Sequence, residues 1–124
     1  MLKNKLFHID SLEQNDGLIR CAIHIDATHP IFEGHFPGQA VLPGVCMLEM
    51  LKEVIEEAYA NSYQLETASS VKFLTMFTPP QFTKAVFDIK PVVAADNKLS
   101  INATLKFEQH VFLKFNGTYK RLNS

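Results

Sequence analysis

The chain has 124 residues, of which 47% are hydrophobic, and its formal net charge is −1. This length and composition predict one domain with a real core, spanning residues 1–124. The small net charge gives no electrostatic footprint for nucleic acid, so we expect no such partner. Residues 1–7 lack the apolar run of a signal peptide, and no segment approaches transmembrane length. We therefore expect a cytoplasmic protein with no membrane partner.

The first strand is predicted at residues 19–25, where apolar and polar side chains alternate. Successive side chains of a strand point to opposite faces, so one face of this strand should be buried. The residues on that face are Ile19, Cys21, Ile23 and Ile25. His24 lies on the polar side, and we assign no chemistry to it, to His8 or to His110.

A loop rich in glycine and proline follows at residues 30–44. It holds three of the chain's five glycines and three of its six prolines, a density that indicates a fixed backbone shape. Phe36 and Leu42 each precede a proline and are biased to extended backbone, whereas Pro43 suits the first turn of a helix. A helix should therefore begin near Leu42 or Pro43.

This helix is predicted to run to about Ala60, and its two halves differ in character. From Leu42 to Leu51 the sole charged residue is Glu49, so this half is expected to be surrounded by protein. The second half is amphipathic and should have one face in water. The residues expected on that wet face are Lys52, Glu53, Glu56 and Glu57.

Glu49 has two interpretations. In the first it heads the charged stripe of the helix, is solvated and pairs with Lys52. In the second its apolar neighbours make ionisation costly, which raises its pKa and favours a role in acid–base chemistry. The positive end of the helix dipole, about 7.5 Å away, opposes that rise. The sequence leaves both interpretations open.

His35 lies in the loop that leads to Glu49, and an imidazole paired with a carboxylate suggests acid–base catalysis. The alternative is a hydrogen-bonded structural histidine, which is the commoner situation for a single histidine. His29 is expected to cap the turn around Pro30. A metal site built from His29, Glu33 and His35 matches no established ligand spacing. We expect no metal and no cofactor.

The rest of the chain is predicted to form strands. Residues 69–77 and 82–93 are strand-like, and Asp96-Asn97 are typical of a turn. Apolar and polar residues alternate over residues 99–107 and again over 111–115. One helix among five or six strands predicts an α+β domain.

The two cysteines, Cys21 and Cys46, fall on predicted buried faces. We expect reduced core residues rather than a disulfide. A nucleophilic role for Cys46 is disfavoured because apolar surroundings oppose formation of the thiolate.

The loop and the start of the helix resemble a known family. Residues 29–38 read His-Pro-Ile-Phe-Glu-Gly-His-Phe-Pro-Gly, residues 42–45 read Leu-Pro-Gly-Val, and Glu49 follows His35 by fourteen positions. This pattern is similar to that of the beta-hydroxyacyl-acyl carrier protein dehydratases of fatty-acid synthesis. Val71-Lys72-Phe73 and the later Pro79-Pro80 resemble the family's next strand and turn, so the likeness spans most of the chain at declining strength.

The resemblance implies a hot-dog fold, in which an antiparallel sheet of five to six strands wraps one long central helix. It also implies homodimers or higher homo-oligomers with active sites at the interface. The implied reaction is dehydration of a 3-hydroxyacyl thioester to a trans-2-enoyl thioester, in fatty-acid or related lipid or polyene biosynthesis. The implied partner is an acyl carrier protein that carries the 3-hydroxyacyl group.

The resemblance also implies site residues. His35 would be the base at the alpha carbon, oriented by the loop carbonyl near Val41, and Glu49 would position the hydroxyl and donate a proton to it. The N–H of Gly44 at the helix start would face the thioester oxygen, where the helix dipole favours developing charge. Three apolar residues would either line the acyl tunnel or belong to the core: Phe36, Val45 and Met47.

Departures from the family pattern suggest a specialised relative. Met50 and Glu53 stand where a small residue and a glutamine are usual. Gln39-Ala40 stands where a second histidine, or another residue, followed by proline is common, and Pro80-Gln81 replaces Gly-Asp. Two other functions stay open. One is a hot-dog thioesterase in which Glu49 activates water, and the other is a non-catalytic acyl-binding or partner subunit of a dehydratase.

Overall fold

The computed structural model describes residues 1–33, 40–79 and 81–122. Within these ranges there is one α-helix, α1 (Gly44–Tyr59), and a short 3₁₀ turn at Pro30–Phe32. The strands are β1 (Phe7–Asn15), β2 (Leu18–Ile25), β3 (Ser62–Phe73), β4 (Lys84–Ala94), β5 (Lys98–Phe107) and β6 (His110–Leu122). In the described part of the chain, no helix has the length and apolarity needed to cross a membrane.

The six strands form one antiparallel sheet in the order β1-β2-β4-β5-β6-β3. Along the chain, α1 lies between β2, next to one edge of the sheet, and β3, at the opposite edge. The helix therefore links the two sides of the sheet, and its apolar face packs on the sheet's inner surface. This architecture confirms the predicted α+β class and the hot-dog fold that the resemblance implies.

The core lies between the helix and the inner face of the sheet. The alternation predicted for β2 is confirmed, since all four residues of its apolar face are buried. In β5, burial alternates from Leu99 to Leu105 as predicted, while Phe107 at the strand end is partly exposed. The helix contributes buried residues that pack on these strands: Met50, Leu51, Val54 and Ile55.

The predicted helix bounds agree with the structure to within two residues. Pro43 caps the helix in extended backbone, and Gly44 is the first helical residue. Ala60 follows the last helical residue and adopts the left-handed conformation, with φ 53°. Asp96 and Asn97 also have positive φ, 64° and 61°, and form the predicted turn between β4 and β5.

The edge strands were poorly predicted. β1 carries no clear alternation and was not predicted, and β3 spans Ser62–Phe73 rather than residues 69–77. Most side chains of β3 are exposed, with Tyr63 its one buried residue. A strand with so few buried positions lacks the period-two apolar pattern on which the prediction depends.

Two predictions about the helix are wrong. Val45, expected to be enclosed by protein, is 72% exposed, so the chain itself leaves one side of the first helical turns uncovered. Glu53, expected on the wet face, is 1% exposed. Its burial is possible because backbone N–H groups from the amino-terminal segment bond to its carboxylate, which offsets the penalty for removing a charge from water.

Gly117 in β6 is expected to be important for stability. A Cβ at this position would lie 2.5 Å from Cζ of Phe115 and 2.6 Å from the backbone oxygen of Thr67. Because β3 is paired with β6 along its length, that backbone has little room to retreat. We expect Gly117→Ala to lower the free energy of unfolding by about 1–3 kcal/mol, measured by urea denaturation.

The matched control is Ser100→Ala, at an exposed position of the adjacent β5. This change should alter the free energy of unfolding by less than about 0.5 kcal/mol. A Gly117→Ala protein with the wild-type urea midpoint would contradict the close contact.

Candidate active site

A cleft of about 610 Å³ opens at the amino-terminal end of α1. One wall comes from the chain leading into the helix, and the other from the end of β3 and the residues after it. The lining residues are Val41, Leu42, Pro43, Gly44, Val45, Met47, Phe73, Leu74, Thr75 and Met76. The cleft is therefore mainly apolar, as a site for an acyl chain would be.

Four of the predicted substrate-binding residues line this one cleft: Val41, Gly44, Val45 and Met47. The structure brings them together, and their contact with a substrate stays a prediction. Both walls are fixed by backbone hydrogen bonds. The N–H of Leu42 donates to the carbonyl of Phe77 (2.8 Å), and the N–H of Leu74 donates to the carbonyl of Phe112 (3.1 Å).

Several predicted positions lie outside the described residues. They include the candidate base His35 and the candidate tunnel residue Phe36. The same holds for two of the departures from the family pattern, Gln39 and Pro80. The predicted convergence of His35 and Glu49 therefore stays a prediction.

Gly44 allows an aromatic ring to approach the helix start. A Cβ on this residue would lie 2.7 Å from Cζ of Phe73, so the missing side chain is what lets the ring lie there. The N–H groups of Cys46 and Met47 donate to the carbonyl of Pro43. Among the described residues, those of Gly44 and Val45 have no hydrogen-bond acceptor, which is expected for the first helical positions. These N–H groups suit an oxygen that develops negative charge.

Glu49 combines the two interpretations that the sequence left open. Its side chain is 39% exposed, and its Oε2 lies 3.3 Å from Nζ of Lys52, as the solvated interpretation predicts. Its pKa is nevertheless raised, first by desolvation and next by a hydrogen bond with the Glu53 carboxyl, while Lys52 opposes the rise. The carboxyl thus has a cationic neighbour, and its pKa is nevertheless above the ordinary value for glutamic acid.

Glu49 lies on the same side of the helix as the cleft. It is four residues after Val45, which places the two side chains about 40° apart around the helix axis. Val45 lines the cleft, whereas Glu49 is one turn further along and is not part of the lining. A substrate seated in the cleft would therefore have the Glu49 carboxyl beside it, along the exposed side of the helix.

Glu53 is the residue that sequence reasoning missed. Its Oε2 accepts the N–H of Leu2 (2.9 Å) and its Oε1 accepts the N–H of Lys3 (2.8 Å). The charged stripe along the helix suggested a solvated side chain, and nothing local indicated these donors. The one available signal was the departure from the usual glutamine at this position.

Three of the other histidines make contacts that support the local structure. Nδ1 of His29 accepts the N–H of Ile31 (3.0 Å), which confirms the predicted cap of the turn at Pro30. His24 bonds through Nδ1 to Asp10 (2.7 Å) and stacks on His8, with ring centroids 4.7 Å apart. Over the described ranges, no group of three or more histidine, cysteine or acidic side chains is arranged to hold a metal ion.

Both cysteines are free and buried, as predicted. Burial raises the pKa of Cys21 to about 12, helped by the charges of Asp10 and Glu57. Burial also raises the pKa of Cys46, and the charge of Glu49 adds to this. Thiols with raised pKa values are poor nucleophiles near neutral pH, so the cleft does not gain a cysteine nucleophile.

The sequence is similar to those of known dehydratases. The family model described as ApeI-like, for ApeI dehydratase, matches residues 11–111. The 3-hydroxyacyl-acyl-carrier-protein dehydratase FabZ of Rickettsia bellii (strain OSU 85-389) is 28% identical over 120 residues, which cover 97% of this chain and 74% of that protein.

Two solved structures show a similar fold. One is the dehydratase heterocomplex ApeI:P from Xenorhabdus doucetiae, with a TM-score of 0.69 and 20% identity, covering 91% of this chain and 96% of that one. The other is the thioesterase HI1161 from Haemophilus influenzae, with a TM-score of 0.65 and 12% identity, covering 96% of this chain and 80% of that one. At these identities the likeness concerns the fold alone, since one fold supports several chemistries.

Proposed function

Because the chain belongs to the ApeI-like dehydratase family, we propose that it removes water from 3-hydroxyacyl thioesters to give trans-2-enoyl thioesters. The observation that carries the proposal is the apolar cleft at the start of α1, with Glu49 one turn away and, at its wall, helix N–H groups that have no acceptor among the described residues. The substrate would be attached to an acyl carrier protein, as the name of the Rickettsia relative indicates for that protein.

The proposed reaction divides among three groups. His35 takes the proton from the carbon beside the thioester carbonyl, and the electron pair of that C–H bond forms the new double bond. Negative charge that develops on the thioester oxygen is stabilised by the N–H groups of Gly44 and Val45. The C–O bond at the third carbon breaks, and the hydroxyl leaves as water with the proton of Glu49. His35 takes one proton and Glu49 gives one, and the electron pair of the broken C–H bond stays in the product. The reaction is therefore redox-neutral and needs no redox cofactor.

The pKa of Glu49 supports its role as the acid. A general acid must hold its proton at the working pH, and an isolated glutamic acid does not do so near neutrality. Burial and the contact with Glu53 raise the pKa of Glu49, so a larger fraction of sites carries the proton that the leaving hydroxyl needs.

We further propose that the active species is a homodimer. The apolar side chains around the cleft are exposed on the single chain, including Val45, Phe73, Leu74 and Met76, and a patch of this kind is typical of an interface. β3 lies at the edge of the sheet, where unpaired backbone groups suit pairing with a second copy. We place the activity in the cytoplasm, where free cysteines such as these persist, in fatty-acid synthesis or a related lipid or polyene pathway.

The proposal is tested with 3-hydroxyacyl thioesters of several chain lengths, offered on carrier protein and on coenzyme A. We expect enoyl absorbance to rise without release of free thiol. Free thiol without enoyl product would instead identify a thioesterase. A folded, pure protein that is inert with every substrate would contradict the catalytic proposal and favour a partner subunit.

Gly44→Ala provides a test of the cleft itself. The new methyl group would meet the far end of the Phe73 ring, and this ring is half exposed, so it can move without disrupting the core. The methyl group and displaced ring would obstruct the approach to the helix N–H groups. We expect turnover to fall by about 10²-fold, the typical loss for one oxyanion donor, with the thermal midpoint nearly unchanged.

The same variant in a Phe73→Ala background distinguishes crowding from loss of charge stabilisation. Removal of the ring should restore part of the turnover if the displaced ring is the obstacle. Wild-type turnover in Gly44→Ala would contradict the placement of the thioester oxygen at this helix end.

A further inference from the structure

We propose that Glu53 is a positioning residue for Glu49, and that the backbone of the amino-terminal segment (residues 2–7) holds Glu53 in place. The inference rests on the proposed function, in which Glu49 gives a proton to the leaving hydroxyl. Glu53 itself is buried and is not among the residues that line the cleft. Its effect on the reaction would pass through Glu49.

The carboxylate of Glu53 is fixed by its surroundings. At 1% exposure it is the single buried charged side chain among the described residues. Each of its oxygens accepts a backbone N–H, one from Leu2 and one from Lys3. Two donors on separate oxygens set the plane and direction of the group, and they offset the penalty for burying its charge.

The two donors are themselves held by the core. Leu6 and Phe7 are fully buried, and the N–H of Leu6 donates to the carbonyl of Leu2 (2.8 Å). The side chain of Lys3 adds an ion pair with Glu57 on the same helix. The segment therefore presents its N–H groups to Glu53 as part of the folded core rather than as a mobile end.

Glu53 in turn meets Glu49, one helical turn earlier. Residues four apart on a helix are neighbours on one face, so the fixed Glu53 carboxyl lies next to that of Glu49. After desolvation, this neighbour is the next largest cause of the raised pKa of Glu49. Both oxygens of Glu53 already accept N–H groups, so a proton between the two carboxyls would be carried by Glu49. We infer that Glu53 in this way orients the Glu49 carboxyl and favours its acid form.

Other titratable groups near Glu49 act on the same proton. Lys52 stabilises the charged carboxylate and opposes Glu53. Tyr119 in β6 and Cys46 on the helix have raised pKa values, mainly through burial and partly through the charge of Glu49. Neither of these two carries a charge near neutral pH. Lys52 and Glu53 are therefore the neighbouring side chains whose opposing effects set the pKa of Glu49.

The main test compares Glu53→Gln with the wild type in the pH dependence of kcat. Glutamine donates to Glu49 through its amide and so favours the carboxylate, whereas Glu53 favours the acid. Since Glu49 must be protonated to act, activity is lost as pH rises through its pKa. We expect this alkaline limb to move to lower pH by about one unit in Glu53→Gln, with about tenfold lower kcat on that limb.

Glu57→Gln is the matched control. It removes the same charge from the same helix and contacts the same amino-terminal segment, but it does not touch Glu49. Its pH profile should coincide with that of the wild type. Equal shifts in both variants would show a general charge effect, and an unshifted profile for folded Glu53→Gln would overturn the inference.

A direct titration separates this inference from the proposed function. Carbon-13 NMR of the glutamate carboxyls reports the pKa of Glu49 in the wild-type protein without any turnover, and a Glu49→Gln spectrum identifies the resonance. We expect the pKa of Glu49 to lie above the ordinary range of glutamic acid and to fall in Glu53→Gln. A wild-type Glu49 pKa within the ordinary range would overturn the inference even if the enzyme is active or the Glu53 variant fails to fold, and so would a raised pKa that is unchanged in Glu53→Gln. A raised pKa that falls in Glu53→Gln, in an inert protein, would leave the positioning intact and remove the dehydratase proposal.

Discussion

His35→Ala and Glu49→Gln are each expected to reduce turnover of 3-hydroxyacyl thioesters by about 10²–10⁴-fold, the usual contribution of a general acid or base. The first change removes the proposed base at the alpha carbon. The second keeps the shape of the side chain but replaces a group that can give a proton with an amide that cannot. The measurement is initial-rate enoyl absorbance over a range of substrate concentrations, so that kcat and KM are separated.

Both losses should appear mainly in kcat. A group that acts in the transition state lowers kcat when it is removed, whereas a group that only binds substrate raises KM. His24→Ala is the control for loss of an imidazole, since His24 lies on the strand pair β1–β2 with Asp10 and away from the cleft. A folded His35→Ala protein with more than about a tenth of wild-type turnover would place the base elsewhere, because general-base contributions are rarely that small.

Loss of fold would be a poor explanation for the Glu49→Gln result. The pKa of Glu49 is raised in the folded state, first by desolvation, so ionised Glu49 disfavours the folded protein. The stability linked to this group is fully present below its unfolded pKa and is lost as pH rises through its higher folded pKa. The amide does not titrate, so Glu49→Gln should be at least as stable as the wild type near neutral pH, by thermal unfolding.

The sequence was sufficient where local pattern and burial coincide. The apolar face of β2, the alternation in β5 and the turn at Asp96-Asn97 depend on neighbours two to four residues apart, which a sequence displays directly. The start of the helix was also predictable, because it depends on the local preference of Pro43 for the first turn. The motif also grouped residues that line one cleft, although the shape of that cleft depends on the end of β3, about thirty positions later.

Long-range contacts explain what the sequence did not reveal. Glu53 belongs by periodicity to a charged stripe, and its burial depends on N–H donors fifty and fifty-one positions away. Val45 belongs by composition to an enclosed half-helix, yet its own chain leaves it exposed. Periodicity shows which side of an element is apolar but does not show whether the same chain or another copy covers it.

The exposed apolar cleft predicts that a complete site needs two chains. Val45 and Phe73, on facing walls, are both exposed, and β3, which ends at Phe73, is an edge strand of the sheet that the described residues form. Exposed apolar walls of this kind would let water reach the reacting acyl group, whereas acyl dehydration benefits from a dry, enclosed site. A second copy seated on this surface would enclose the acyl chain, and we predict that its His35 acts with Glu49 of the first copy.

Mixing inactive protomers tests whether the site is shared. If His35 of one chain acts with Glu49 of its partner, a dimer of His35→Ala and Glu49→Ala chains holds one complete site and one site that lacks both groups. Random exchange of equal amounts makes half of the dimers mixed, so activity should recover to about a quarter of the wild-type value, as expected for two equivalent sites in a symmetric dimer.

The control mixes His35→Ala with the double variant His35→Ala/Glu49→Ala, a combination in which no pairing yields a complete site. Subunit exchange is followed by capture of an untagged variant on a tagged one, so that a failure to exchange is not mistaken for a negative result. Exchange without recovery would mean that His35 and Glu49 of the same chain form each site. In that case the exposed side of α1 would serve to enclose the acyl chain but not to assemble the catalytic groups, because the acid would already face its own base.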